Sequence, residues 1–172
     1  MEVPERGNWL TANRPELSTA YNDYAAKVLP FSFKHDLNGQ SDEEKIAARK
    51  RLASWLDRHS VPRYGLTLQF YCRSQDVPIG TPYNIASYAI LAQMLAQCTG
   101  MVAEELIYMA GDIHIYKNQL EGVKIQLERE PFPFPTLRLN PDVKDIFSFK
   151  VDDFELIGYQ HHPKIDFGDV AV

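Results

Sequence analysis

Cysteine is scarce in this chain, and this scarcity limits the kind of protein it can be. Two cysteines among 172 residues, Cys72 and Cys98, cannot build the disulfide network that stabilises small secreted domains. No apolar run approaches the roughly 18–20 residues that a membrane-spanning helix needs. Residues 1–6 lack the apolar stretch of a signal peptide. These absences predict a cytoplasmic protein with no membrane partner.

An excess of positive charge is also absent. The chain has 18 Lys and Arg residues against 23 Asp and Glu, a net charge of −5, and its one basic cluster is 49–51 (Arg-Lys-Arg). A protein that binds duplex DNA needs a concentrated positive face, so DNA is not an expected partner. A small anionic ligand needs only a few cations in one pocket and remains compatible with this composition. No metal site is predicted.

The length and the hydrophobic content of 45% allow one well-packed α+β domain. We expect a single domain over residues 1–172, with a mainly helical N-terminal segment at 1–62 and a ligand-binding core at 63–172. The predicted architecture is a mixed sheet with helices packed on one face.

Periodicity and turn signals predict the individual elements. Residues 1–15 are polar and are expected to form an arm or loop. Ser41, with Glu44 three residues later, has the spacing of a capping box at the start of a helix. The helix at 84–98 is the most apolar and is expected to be central and largely buried. The remaining predictions are helices at 16–28, 41–59 and 118–127, and strands at 66–73, 104–110, 136–139 and 153–159.

The segment 73–88 concentrates polar side chains in a predicted strand–turn–helix stretch. Arg73 has a planar guanidinium that can grip two phosphate oxygens, and the hydroxyl of Ser74 can add a third hydrogen bond. Asn84 carries an amide donor and an amide acceptor, which match O4 and N3–H of a uracil. In isolation, such an arginine is more often a surface residue, and such an asparagine is more often a helix cap.

A second segment, 111–118, follows the next predicted strand. His114 and Tyr116 lie two residues apart, so extended backbone places both side chains on one face. Two hydrogen-bonding groups on one face suit a sugar hydroxyl. A pair of this kind on its own is more often structural.

Together the two segments resemble the nucleotide-binding motifs of thymidylate synthase and its pyrimidine hydroxymethylase relatives. The first family motif, Arg-Ser-x-Asp-x-x-x-Gly-x-Pro-[Phe/Tyr]-Asn-[Ile/Val]-Ala-Ser-Tyr, is matched at every fixed position. The resemblance extends over about residues 66–172 and implies a thymidylate synthase-like fold whose N-terminal part is shortened or replaced.

The resemblance also implies roles for the matched residues. Arg73 and Ser74 would bind the phosphate of a deoxypyrimidine monophosphate, and His114 and Tyr116 would bind the deoxyribose 3′-hydroxyl. Asn84 would read the base, and asparagine there favours deoxyuridine monophosphate (dUMP), since the cytosine-using relatives tend to carry aspartate. The chain departs from the second motif at Ala110, usually glycine, and at Gln119, often histidine.

Further family features extend to the cofactor and the assembly. Asp76, Gly80 and the C-terminal Val172 would contact the folate, 5,10-methylene-tetrahydrofolate. The family forms homodimers by burying one sheet face, and Arg49 and Arg51 faintly resemble the arginine pair that reaches the partner subunit's phosphate. A solvated helix face is the simpler interpretation of that pair.

The catalytic nucleophile of the family has no counterpart here. In the family, a cysteine in a Pro-Cys-His segment about twenty residues before the phosphate arginine attacks C6 of the pyrimidine. The corresponding position falls near Ala53, and the chain contains no Pro-Cys-His. Cys72 should point away from the ligand because neighbours on a strand face opposite sides, and Cys98 belongs to an apolar helix stripe.

Three hypotheses therefore remain open. The chain could bind the nucleotide without the cysteine-dependent methylation step. It could belong to an active thymidylate synthase or hydroxymethylase whose nucleophile comes from another chain or position. It could also be a structural or interaction module on the same fold. Whether it is an enzyme is left undecided by the sequence.

Overall fold

The computed structural model describes residues 3–28 and 41–167. The chain divides into two compact units, Met1–Gly65 and Leu66–Val172. The elements in chain order are α1 (Val3–Asn13), α2 (Pro15–Val28), α3 (Asp42–Arg58), β1 (Gly65–Asp76), α4 (Gly80–Thr99), β2 (Val102–His114), α5 (Leu120–Leu127), β3 (Thr136–Leu139) and β4 (Phe154–Ile157). Short 3₁₀ turns occupy Lys117–Gln119 and Val151–Asp153.

The first unit is a bundle of α1, α2 and α3 around its own apolar core. The prediction of an arm or loop at residues 1–15 is wrong, because Val3–Asn13 is helical. Leu10 is fully buried in this core, so packing against the neighbouring helices stabilises a segment that looks polar on its own. The buried core residues are Leu10, Tyr21, Ala25, Leu52, Trp55, Leu56 and Val61.

A buried arginine ties α1 to the end of this unit. Arg6 is 4% exposed, and its guanidinium donates to Asp57 Oδ1 at 2.7 Å, to the Val61 carbonyl at 2.7 Å and to the Pro62 carbonyl at 3.0 Å. Asp57 also accepts two hydrogen bonds from Arg63. The hydrogen bond from Arg63, followed by that from Arg6, holds the pKa of the Asp57 carboxyl below its ordinary value.

The predicted start of α3 is confirmed. Ser41 is the N-cap, its hydroxyl accepts a hydrogen bond from the Glu44 amide at 3.3 Å, and its own amide donates to Glu44 Oε2 at 2.9 Å. This reciprocal pair satisfies two amide groups that the first helical turn leaves without partners.

In the second unit, β1 and β2 pair and α4 connects them. Residues later in β1 contact residues later in β2. The Gln69 amide meets the Met109 sulfur, and further on the Val77 amide donates to the His114 carbonyl at 3.0 Å. The strands are therefore parallel, as a helical crossover requires, and their carboxyl ends lie side by side.

Helix α4 differs from its prediction in extent and in burial. It begins at Gly80, four residues before the predicted start, and closes at Gly100, whose φ of 67° is a left-handed cap. The prediction that it is largely buried is wrong: Ala92 and Ala96 are its buried residues, and Ile85 is 39% exposed. The helix packs on one side against the strands, as shown by the stacked rings of Phe70 and Tyr88, whose centroids are 3.9 Å apart.

The α+β class is confirmed. Strands β3 and β4 pair antiparallel, with Thr136 opposite Ile157 and Leu139 opposite Phe154, so the described strands form two separate two-stranded sheets instead of one mixed sheet. Among the strands of 3–28 and 41–167, the short β3 and β4 pair only with each other. Across the described ranges, no helix is long and apolar enough to cross a membrane.

Candidate ligand site at the ends of β1 and β2

The alternation of β1 sorts its side chains onto two faces. Phe70 packs towards α4, and Cys72, two residues on, shares that side, whereas Tyr71 and Arg73 are exposed. Arg73 and Ser74 are both exposed, and within the described part of the chain neither side chain has a hydrogen bond or ion pair. Their donors are therefore available to an anion.

Asp76 ends β1 and has two carboxylate oxygens in different situations. Its Oδ2 accepts a hydrogen bond from Gln119 Nε2 at 3.1 Å. Its Oδ1 is buried, and no described residue donates a hydrogen bond to it. A buried acceptor without a partner costs on the order of 1–3 kcal/mol, more when charged, so this oxygen retains an unused capacity to accept a hydrogen bond.

Gln119 connects the end of β1 with the segment that follows β2. Its side chain is 1% exposed, and its Oε1 accepts a hydrogen bond from the Tyr116 amide at 3.0 Å. Together with the bond from Val77 to His114, this link holds Asp76, His114 and Tyr116 at one edge of the parallel pair. The imidazole of His114 and the ring of Tyr116 lie edge to face with centroids 4.9 Å apart.

Asn84 lies in the second turn of α4, and its side chain is hydrogen-bonded to Gln75 of β1. Its Nδ2 donates to Gln75 Oε1 at 3.3 Å, and Gln75 in turn donates from Nε2 to the Asp76 carbonyl at 3.3 Å. Gln75 is 1% exposed. It occupies the space that a side chain at Gly80 would fill, since a Cβ there would lie 2.7 Å from Gln75 Nε2.

A cavity of about 380 Å³ lies next to this edge. It is lined by residues at the start of α4 and by a stretch near the C-terminal end of the described chain: Pro78, Ile79, Tyr83 and Lys164, Ile165, Asp166 and Phe167. Its lining combines apolar and charged groups, as small-molecule sites usually do. No cluster of three or more metal-ligating side chains occurs in the ranges 3–28 and 41–167.

The structure thus links Asp76, Asn84 and Tyr116 through two buried glutamines. His114 joins them through the bond from the Val77 amide and the contact with the Tyr116 ring. Sequence reasoning did not assign either glutamine a role. Gln75 occupies an unspecified position of the first motif, and Gln119 was noted only as a departure. A buried amide must find hydrogen-bond partners, so the burial of these two carboxamides beside charged motif residues identifies them as part of the site. That burial is visible only in the folded structure.

Three further candidate residues are Arg49, Arg51 and Val172. Arg49 and Arg51 are exposed on α3, in the first unit, where Arg51 Nε donates to the Ala47 carbonyl of its own helix at 3.4 Å. This agrees with a solvated helix face. Val172 lies outside the described residues.

Polar groups of this α+β chain lie at the carboxyl ends of two adjacent parallel strands. Proteins that bind small ligands commonly bind them at such strand ends. The thymidylate synthase family model matches residues 53–172. The chain also resembles the solved thermostable thymidylate synthase A from Bacillus subtilis, with 43% identity and a TM-score of 0.61, over 64% of this chain and 39% of that one. The chain belongs to the thymidylate synthase family, and it spans about two fifths of the length of this relative.

Proposed function

We propose that the chain binds a deoxypyrimidine monophosphate, with dUMP favoured, and that it lacks the cysteine-dependent methylation step. The observation that carries the nucleotide proposal is the hydrogen-bonded link from Asn84 through Gln75 to the end of β1, and from Asp76 through Gln119 to Tyr116. Residues from two distant sequence motifs are held at one edge of the same parallel pair.

Each proposed role matches the state of its side chain. The exposed guanidinium of Arg73 and the hydroxyl of Ser74 are available to the phosphate. The paired rings of His114 and Tyr116 present a nitrogen and a phenol to the 3′-hydroxyl. Gln75 uses one Nδ2 hydrogen of Asn84, so the second Nδ2 hydrogen and Oδ1 are left for the base. This donor and acceptor pair complements the O4 and N3–H of uracil.

Calorimetric titration of the protein with dUMP and deoxycytidine monophosphate (dCMP) tests this proposal. We expect dUMP to bind more tightly, and Arg73→Gln to weaken both nucleotides by about tenfold or more, because a charge-assisted bond to phosphate is lost. Arg138→Gln is the matched control: it removes one arginine of the same unit, which pairs with Glu155 on β4. No heat with either nucleotide would refute the proposal.

Thymidylate synthases use methylene-tetrahydrofolate, and the residues present are compatible with a folate. The buried Oδ1 of Asp76 could accept a hydrogen bond from an N–H of a pterin ring. Gly80 lies directly after Ile79, which lines the 380 Å³ cavity, and the other wall is the stretch that leads to Val172. When bound, the folate would supply a one-carbon unit. The residues here would hold and orient its ring.

The positions of the two thiols support the proposed lack of the methylation step. Cys72 lies on the α4 side of β1, opposite to Arg73, and Cys98 lies in the last turns of α4, far along the helix from Asn84. Neither thiol is on the side of β1 that presents Arg73. The family match begins at Ala53, in the region where the nucleophile segment would lie.

An active enzyme with a nucleophile from another chain or position is the second candidate. The observation that favours it is that the chain spans 39% of its relative, so a partner could supply what this chain lacks. Release of tritium from dUMP labelled at C5, in the presence of methylene-tetrahydrofolate, is the test. Release would establish turnover, and its absence would restrict the chain to binding.

We also propose a homodimer, in which Arg49 and Arg51 contact the phosphate bound by the partner. The face of β1 that carries Tyr71, which is 63% exposed, is available for such an interface. Sedimentation with and without dUMP tests the assembly: a monomer at all concentrations would refute it. A cytoplasmic location remains a prediction.

A further inference from the structure

Gln75 occupies a position that the first motif leaves unspecified, yet it is one of the most deeply buried polar side chains described, at 1% exposure. We propose that Gln75 is the residue that fixes the orientation of the Asn84 carboxamide and so sets the preference for uracil over cytosine. This inference rests on the proposed nucleotide-binding function.

The direction of each hydrogen bond follows from a backbone carbonyl. The Asp76 carbonyl oxygen can only accept, so the group of Gln75 that faces it at 3.3 Å is its NH₂. The remaining atom of the Gln75 amide is the acceptor Oε1, so the group of Asn84 that approaches it at 3.3 Å is also an NH₂. The Asn84 amide is therefore oriented by the backbone, through Gln75.

The Gln75 amide lies in space that is open because residue 80 is glycine. A side chain at Gly80 would place its Cβ 2.7 Å from Gln75 Nε2 and 3.8 Å from Asn84 Nδ2. The missing Cβ of Gly80 thus leaves the space in which the two amides meet. Because Gln75 is enclosed, it cannot release Asn84 by turning out into solvent.

The orientation of Asn84 matters because uracil and cytosine present opposite polarity. Uracil offers an N3–H donor beside an O4 acceptor, and cytosine offers an N3 acceptor beside an N4 donor. An asparagine that can rotate by half a turn matches either base. In this protein, the same rotation of Asn84 would place its Oδ1 against Gln75 Oε1, two acceptors with no proton between them. Cytosine, which requires that rotation, is therefore disfavoured.

The test compares the ratio of dissociation constants, dCMP over dUMP, in the full chain and two variants. Gln75→Met keeps the shape and removes the amide. Gln97→Met is the matched control, because Gln97 donates to the carbonyls of Asn140 at 2.9 Å and Val143 at 2.8 Å near the opposite end of α4. We expect the ratio to fall by about fivefold in Gln75→Met, the equivalent of one ordinary hydrogen bond, and to stay unchanged in Gln97→Met.

Two results would overturn the inference. An unchanged ratio in Gln75→Met, with dUMP still bound, would remove the role of Gln75 and leave the proposed function intact. A parent protein that binds neither nucleotide would remove both.

If Gln75→Met does not fold, nuclear magnetic resonance on the parent protein decides instead. One Asn84 Nδ2 proton should exchange slowly before ligand is added and the other should shift with dUMP. Exchange of both protons at the rate of a free amide would also overturn the inference.

Discussion

Gly80→Ala is the substitution that most directly tests the packing around Gln75. The added methyl would lie 2.7 Å from Gln75 Nε2, so the amide must retreat by about 1 Å to regain van der Waals separation. Both hydrogen bonds of that amide are already 3.3 Å long. A retreat of this size breaks or severely weakens them.

The magnitude follows from those two bonds. Each contributes about 0.5–1.5 kcal/mol, and both belong to a side chain that cannot reach solvent. Replacing glycine by alanine also restricts the unfolded chain and returns about 0.4–1 kcal/mol. We therefore expect Gly80→Ala to lower the free energy of unfolding of the second unit by about 1–2 kcal/mol and to weaken dUMP binding through Asn84.

A double-mutant cycle isolates this contact. Urea unfolding of the second unit is followed by labelling of Cys72 and Cys98, which are both half-buried there. In a Gln75→Ala background the methyl meets no amide, so Gly80→Ala should become neutral or slightly stabilising, with a coupling of about 1–3 kcal/mol. Additive effects of the two substitutions would refute the proposed packing of Gln75 against Gly80.

Three further predictions concern both units. The hydrogen bond from Arg63 lowers the pKa of Asp57. The ionised Asp57 therefore stabilises the first unit fully above about pH 4, the pKa of the unfolded state, and this stabilisation is lost as the pH falls through the lower pKa of the folded state. Acid unfolding should therefore depend less on pH in Asp57→Asn, and an unchanged dependence would contradict this. Ser41→Ala removes the cap of α3 and should cost about 1 kcal/mol in urea unfolding; a stability equal to the parent's would argue against the cap. Gln119→Leu removes the donor to Asp76 and the acceptor of the Tyr116 amide, so it should weaken both folate and dUMP binding, and an unchanged affinity for either ligand in calorimetry would count against that link.

Local signals in the sequence were sufficient for the elements whose stability is local. The capping box at Ser41 and the strand at Thr136–Leu139 occur where spacing and alternation placed them. Residues 3–13 were missed because their helix depends on partners far along the chain, such as the acceptors of Arg6 at Asp57 and Val61. A window of local sequence does not contain those partners.

The residues of the candidate site also differ in whether the sequence alone could identify them. The motif residues Arg73, Asn84 and His114 could be named from their spacing, because their chemistry is apparent from residue type. The glutamines at 75 and 119 could not, since glutamine on a surface has no special meaning and only burial gives it partners. The exposure of α4 could not be foreseen either: apolar composition reports what a helix would bury, not whether another layer is present to cover it.

The positions of the two tryptophans have a practical consequence for experiments on this chain. Trp9 and Trp55 both belong to the helical bundle, where Trp55 is stacked on His59 with ring centroids 3.8 Å apart, so tryptophan fluorescence, excited selectively, reports on the first unit. The thiols have the opposite distribution. A single denaturation series recorded with both probes would show whether the two units unfold together or independently, and independent unfolding would mean that Leu66–Val172 can be expressed and assayed by itself.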